Sequence, residues 1–126
     1  MKKVLICDDE PHILESVSYV VHKLGHQCLT ATNGEEALRA ARQDQPDVLV
    51  LDVRMPKLDG YSVCEQLKSE VATRGIYIIM LTAFGQKQDE RIAASVGADE
   101  FMTKPFSPRW LKVRLSKILG NAEEKQ

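Results

Sequence analysis

The sequence lacks the features that mark disulfide-rich, nucleic-acid-binding and membrane-spanning proteins. It has three cysteines, Cys7, Cys28 and Cys64, and no CxxC pair, a pattern typical of small buried thiols rather than of a disulfide framework. A net charge of −1 over 126 residues leaves no strongly basic surface for nucleic acid. No apolar run approaches the roughly 20 residues of a transmembrane helix. We therefore expect no nucleic-acid partner and no membrane partner for this chain.

The N-terminus does not have the pattern of a secretory signal. Two lysines precede an apolar run, Val4–Cys7, but acidic residues interrupt that run after four positions. This is well short of the apolar segment of a signal peptide. The stretch instead predicts the first strand of a cytoplasmic protein, and the length and the 44% hydrophobic content fit a single globular domain.

Apolar strands alternate with helical patterns along the chain. Short continuous apolar runs predict buried strands, and apolar residues three and four positions apart predict helices. The pattern predicts an α/β fold in which a doubly wound parallel sheet of five strands carries five helices on its two faces. The predicted strands are 2–7, 27–31 (a weak edge strand), 48–51, 76–81 and 100–103. The predicted helices are 11–24, 34–44, one carrying Val63, Leu67 and Val71, 89–96, and one from Pro108 that buries Leu111, Leu115, Ile118 and Leu119.

Four predicted strands end in residues suited to phosphate or metal chemistry. Asp8 and Asp9 follow the first strand, Asp52 the third, Thr82 the fourth and Lys104 the fifth. An aspartate after a strand is commonly only a turn residue or helix cap. The carboxyl ends of parallel strands, however, meet at one edge of the sheet. The set therefore predicts a shared site.

The chemistry of these groups indicates phosphoryl transfer. Three converging carboxylates repel one another unless a cation offsets their charge, and an all-oxygen ligand set favours Mg²⁺, with Mn²⁺ as the alternative. A carboxylate can attack phosphorus to form an aspartyl phosphate. We expect Asp52 to be the nucleophile, Lys104 and the metal to offset charge, and Thr82 to position an oxygen.

With these residues identified, the chain resembles the receiver domain of two-component response regulators over residues 2–119. The matching motifs are the acid pair Asp8-Asp9, the segment Val48–Gly60 around Asp52, Thr82 in IIMLTA, and GADEFMTKPF around Lys104. The resemblance implies a flavodoxin-like sheet with strand order 2-1-3-4-5. It also implies a receiver domain at residues 1–120 followed by a polar tail at 121–126.

The resemblance implies a role for each site residue. Asp52 would accept a phosphoryl group from a histidine kinase, a phosphotransfer protein or a small phosphodonor. Thr82 would hydrogen-bond that group, Lys104 would pair with it, and the Lys104–Pro105 bond would be cis. Mg²⁺ would be held by Asp9, Asp52 and the backbone carbonyl of Arg54, with Asp8 acting through water.

The resemblance also implies a switch surface near the last strand and helix. Phe101 would turn inward as Thr82 moves toward the phosphate, although plain core packing explains a phenylalanine equally well. Trp110 and Val113 lie off the core stripe of the last helix and would form, with Phe101, an apolar patch for a downstream target, an output domain or a second copy of the chain. An isolated, half-buried tryptophan explains Trp110 equally well. The side chains of Arg54 and Phe84 are expected to slow hydrolysis of the aspartyl phosphate, although a solvated surface arginine explains Arg54 equally well.

Two other functions are compatible with parts of this pattern. An aspartyl-phosphate phosphatase of the haloacid-dehalogenase type uses similar chemistry, but it favours a DxD motif after the first strand and a cap insertion. A phosphorylation-independent docking domain would tend to lose one residue of the site, and this chain has them all. We expect that the protein is not an enzyme and catalyses only its own phosphorylation and dephosphorylation. The sequence is compatible with a stand-alone receiver and with part of a longer regulator.

Overall fold

A computed structural model describes residues 1–83 and 87–120 and shows five strands alternating with five helices, as the sequence predicts. Phe84 and the tail at 121–126 lie outside the described residues, so the expectations for them stay predictions. None of the helices in the described ranges has both the length and the apolarity that a membrane span requires. The strands are β1 Lys3–Cys7, β2 Gln27–Ala31, β3 Val48–Asp52, β4 Tyr77–Thr82 and β5 Glu100–Thr103. The helices are α1 Pro11–Lys23, α2 Gly34–Asp44, α3 Gly60–Ser69, α4 Lys87–Ser95 and α5 Pro108–Leu119.

The sheet is parallel throughout, with strand order β2-β1-β3-β4-β5. This confirms the doubly wound, flavodoxin-like fold and the edge position of β2. The pairing register places the strand ends together: Cys7 lies opposite Leu51, Asp52 opposite Leu81 and Thr82 opposite Thr103. The residues that follow these strands consequently meet at one edge of the sheet.

The continuous apolar strands are explained by helices on both sheet faces, since successive side chains of a strand point to opposite faces. Leu5 and Leu49 pack with α2 and α3, whereas Val4 and Val48 pack with α1 and α5. β3 is buried at all five positions. Both faces of the central strand are thus covered by helices, and the strand that carries Asp52 lies inside the core.

Local signals at the helix ends agree with the sequence. The Asn33 side chain accepts a hydrogen bond from the Glu36 N–H at 2.9 Å, as an N-cap should. The Glu36 carboxylate reaches back to the Thr32 N–H at 3.0 Å, one residue earlier than in a standard capping box. Gly25 adopts a positive φ of 84° just after α1, where a left-handed residue ends the helix. The Lys104–Pro105 peptide bond is cis, as the resemblance implies.

Two predictions about helix faces were wrong in detail. Val71 was placed on the core face of α3, but α3 ends at Ser69 and Val71 is 80% exposed. The helix stops where the Glu70 backbone becomes extended. The Glu70 carboxylate is paired with Arg42 of α2 at 2.6 Å. Ile118 was expected to be buried and is only partly so.

Candidate functional site

Lys104 connects the carboxylates that the strand ends bring together. Its ammonium nitrogen lies 2.8 Å from Asp8 Oδ2 and 3.3 Å from Asp52 Oδ1, and its side chain is 13% exposed. The backbone of Lys104 is held at the end of β4, because the Lys104 N–H donates to the Thr82 carbonyl at 2.7 Å. Three strands thereby contribute to one charged cluster, as the sequence predicts.

Asp8 is fully buried at the end of β1. Its backbone N–H donates to the Ala31 carbonyl at 3.1 Å, and its Oδ1 accepts the Glu10 N–H at 2.9 Å. Its Oδ2 accepts no hydrogen bond from the described residues, since the ion pair with Lys104 lies outside hydrogen-bond geometry. A buried carboxylate oxygen of this kind has capacity left for a cation.

Asp52 is 5% exposed at the end of β3, and its surroundings disfavour its charge. Burial, followed by repulsion from Asp8, raises the pKa of Asp52 to about 6, although the Lys104 charge opposes this shift. The pKa of Lys104 is itself raised: burial lowers it, but the close ionic contact with the Asp8 carboxylate and the charge of Asp52 outweigh burial. The pocket therefore keeps its lysine charged and favours an additional cation beside its carboxylates.

The residues present fit a hard divalent cation. Carboxylate oxygens of Asp8, Asp9 and Glu10 lie within 4.8 Å of one another, and Asp52 is joined to this group through Lys104. A purely oxygen-based donor set of this kind suits Mg²⁺ or Mn²⁺. The acidic cluster could thus bind a metal, and Asp8 and Asp9 are in it as predicted.

Glu10 was missed as a site residue by the sequence reasoning. It is the N-cap residue of α1, and Pro11 at the first helical position sets the chain direction after it. This turn places Glu10 Oε1 3.7 Å from the Lys104 ammonium and Glu10 Oε2 3.0 Å from His12 Nε2. The signal in the sequence that could have identified Glu10 was its position directly after the acid pair Asp8-Asp9.

Arg54 and Thr82 lie where the sequence places them. Thr82 is 3% exposed at the end of β4. Arg54 is exposed in the β3–α3 loop, the segment 53–59. The loop leaves the sheet in a fixed direction because the Val53 N–H donates to the Leu81 carbonyl at 2.9 Å. Arg54 is thus the first residue beyond that anchor, on the same edge as Asp52.

The predicted switch residues also lie together. Phe101 is partly buried against the core, and Trp110 is 43% exposed on α5. Both line a groove of about 380 Å³ that continues along β5 to Phe106. Val113 is 47% exposed one turn further along α5, so the apolar character extends outside the groove.

Comparisons with known proteins match this architecture. The sequence profile of the response regulator receiver domain matches residues 4–116. Among curated proteins, the alkaline phosphatase synthesis transcriptional regulatory protein PhoP of Bacillus subtilis is 43% identical over 122 residues, which are 97% of this chain and 50% of that protein. The chain thus spans about half the length of the curated relatives it matches.

Solved structures agree in fold. The chemotaxis response regulator CheY4 of Vibrio cholerae superimposes with a TM-score of 0.88 at 32% identity, covering 94% of this chain and 99% of that one. The receiver domain of the sensor histidine kinase PA1611 from Pseudomonas aeruginosa, solved with a magnesium ion in its active site cleft, gives a TM-score of 0.85 at 27% identity. That match covers 94% of this chain and 98% of the neighbour.

Proposed function

This chain belongs to the family of response regulator receiver domains, and on that premise we propose that it is the phosphoacceptor switch of a two-component phosphorelay. The observation that carries the proposal is the position of Asp52. This carboxylate is almost fully buried at a strand end and has a lysine ammonium 3.3 Å away. A nucleophile and a charge-offsetting group are thus held in place before any phosphodonor arrives.

The proposed step is a direct phosphoryl transfer. A carboxylate oxygen of Asp52 forms a bond to phosphorus as the bond from phosphorus to the donor breaks. The electron pair of the broken bond leaves with the donor, as acetate from acetyl phosphate or as imidazole from a phosphohistidine. Lys104 offsets the charge on the phosphoryl oxygens, and Thr82 hydrogen-bonds one of them.

The acidic cluster would hold Mg²⁺ for this step. Asp9 and Asp52 would ligate it together with the Arg54 carbonyl, with Asp8 acting through water. The metal would screen the phosphoryl oxygens from the carboxylates. The magnesium ion in the cleft of the PA1611 receiver domain supports this assignment.

The proposed partners are a histidine kinase or phosphotransfer protein upstream and an output domain or target downstream. The Phe101–Trp110 groove would transmit the change, with a partner or a second copy of the chain as its occupant. The relative named as a transcriptional regulatory protein is about twice as long, and control of such an output is part of this proposal. A cytoplasmic location, a receiver domain at 1–120 and the lack of turnover on separate substrates stay predictions.

The test is to incubate the protein with acetyl phosphate and Mg²⁺ and to follow its intact mass. We expect one added phosphoryl group. None should be added when the metal is chelated beforehand, and none should be added to Asp52→Asn. Asp47→Asn, in the loop before β3, is the matched control and should be labelled like the wild type. A folded wild-type protein that takes up no phosphoryl group would contradict the proposal.

Two further measurements separate the other two functions. A phosphatase of the haloacid-dehalogenase type would turn over a phosphomonoester many times, whereas a receiver would label itself once. A docking domain that acts without phosphorylation would bind its partner equally well as wild type and as Asp52→Asn. Either result would replace the switch assignment.

A further inference from the structure

The β3–α3 loop, which carries Arg54, packs tightly against a part of the chain outside the phosphorylation site. That part is the β2–α2 junction, residues 32–35, together with the buried end of β1. Three separate contacts join the loop to it, through Gly34, Cys7 and Glu35. The contact through Glu35, an exposed ion pair with Lys57 at 3.9 Å, adds little.

Gly34 allows the first turn of α2 to reach the loop backbone. A Cβ placed on Gly34 would lie 2.1 Å from the Leu58 carbonyl oxygen and 2.7 Å from Leu58 Cβ. Both atoms belong to the rigid part of that residue rather than to the end of a flexible side chain. Any larger residue at position 34 must therefore displace the loop or the helix.

Cys7 makes the second contact from beneath. Its side chain is fully buried, and its Sγ lies 3.1 Å from Met55 Sδ in the loop and 3.3 Å from the Asn33 carbonyl in the junction. A thiol is a weak donor to both of these acceptors. Burial raises the pKa of the Cys7 thiol to about 12, with nearby carboxylates adding to the effect, so the group is an unreactive contact at neutral pH.

The loop cannot relax freely when it is pushed. At its far end, a Cβ on Gly60 would lie 2.3 Å from the Asp52 carbonyl oxygen, and the Gly60 N–H donates to Val53 at 2.8 Å. Between the ends, Lys57 has a positive φ of 72° in a tight turn closed by the Leu58 N–H and the Pro56 carbonyl at 2.8 Å. Such a conformation persists only where the surroundings impose it. A displacement at Leu58 must therefore pass into residues 54–57.

We propose that Gly34 and Cys7 are positioning residues that set the direction of the Arg54 carbonyl and thereby the affinity for Mg²⁺. This inference rests on the proposed function, because it takes the Arg54 carbonyl as a metal ligand. Neither residue touches the metal. Each acts through the loop, Gly34 by close approach at Leu58 and Cys7 by the sulfur contact at Met55. Residues that orient metal ligands in this way commonly control affinity.

The test measures the Mg²⁺ dissociation constant by titration calorimetry, with folding of each variant checked by circular dichroism. Gly34→Ala should weaken binding about tenfold. Gly75→Ala is its matched control, since no atom of the described residues lies within 4 Å of a Cβ at that exposed position. Cys7→Ala should weaken binding in the same direction by a smaller factor. Cys64→Ala, another fully buried thiol that contacts Val96 instead, is the control for loss of a core sulfur.

The outcomes separate this inference from the proposed function. Wild-type affinity retained in folded Gly34→Ala and Cys7→Ala would overturn the inference alone. An equal loss in Cys64→Ala or Gly75→Ala would overturn it as well, because the effect would then be general destabilisation. If Gly34→Ala does not fold, the inference is tested by comparing the Mg²⁺ affinity of Cys7→Ala with that of Cys64→Ala. A wild-type protein that binds no Mg²⁺ would overturn the proposed metal site and this inference together.

Discussion

The ammonium of Lys104 lies 3.3 Å from Asp52 Oδ1. In the sheet, β4 lies between β3, which ends at Asp52, and β5, which precedes Lys104. The contact is possible because all five strands are parallel and their carboxyl ends meet at one edge. It also places a cation beside a buried carboxylate in the folded protein. The first prediction concerns what this cation does for stability.

Replacing Lys104 with methionine should destabilise the protein by about 3 kcal/mol in the absence of divalent metal. Removing one partner of a buried ion pair costs about 3–5 kcal/mol, and the partial exposure of Lys104 favours the lower value. Urea unfolding measures the change. Added Mg²⁺ should restore part of the loss, because a second cation then offsets Asp8 and Asp52. Equal stability of wild type and variant would show that the ammonium is not needed for the fold.

The Glu100 carboxylate should contribute stability that is lost in acid. Burial raises its pKa, but hydrogen bonds from Arg114 and Tyr77 outweigh burial and hold the pKa below the ordinary 4.5. The folded form thus binds protons less readily than the unfolded chain, so the contribution is present above pH 4.5 and falls as pH drops through the lowered pKa. The free-energy difference between wild type and Glu100→Gln should shrink over that range. A difference that stays constant as the pH falls through this range would contradict the prediction.

Trp110 should report activation, since it is the single tryptophan of the chain and lines the same groove as Phe101. Beryllofluoride with Mg²⁺, as a phosphoryl mimic, should shift its fluorescence emission, because the groove is proposed to transmit the change at the site. Asp52→Asn should abolish the shift. An unchanged spectrum in the wild type, with the mimic shown to be bound, would show that the groove does not respond to the site.

Replacing Arg54 with alanine should shorten the lifetime of the aspartyl phosphate. Its exposed side chain follows Asp52 by two residues and would lie beside the approach path of water. The decay of the labelled protein, followed by mass spectrometry, measures the effect. Arg39→Ala removes an exposed arginine from α2 and should leave the lifetime unchanged. An unaltered lifetime in Arg54→Ala would remove Arg54 from the control of hydrolysis.

The fold was predictable because each strand and helix has a local signal. The continuous apolar run Val48–Leu51 of β3 predicted a strand covered on both faces, and the Asn33 cap marked the start of α2. Parallel pairing then placed Asp8, Asp52 and Lys104 at one edge.

The details that were missed depend on contacts between distant parts of the chain. Val71 was misplaced because the chain becomes extended at Glu70, whose carboxylate pairs with Arg42, twenty-eight residues away. Glu10 joins the site only through the turn into α1. The fit of Gly34 against Leu58 has no local signal, since a glycine after an N-cap residue is unremarkable on its own.

The most direct test of the account locates the phosphoryl group on the chain. Protein treated with acetyl phosphate and Mg²⁺ is reduced with borohydride, which converts an aspartyl phosphate to homoserine, and is then digested and mapped by tandem mass spectrometry. We predict homoserine at position 52 and unmodified aspartate at positions 8 and 9. Homoserine at another position, or a phosphorylated protein with Asp52 intact, would contradict the account.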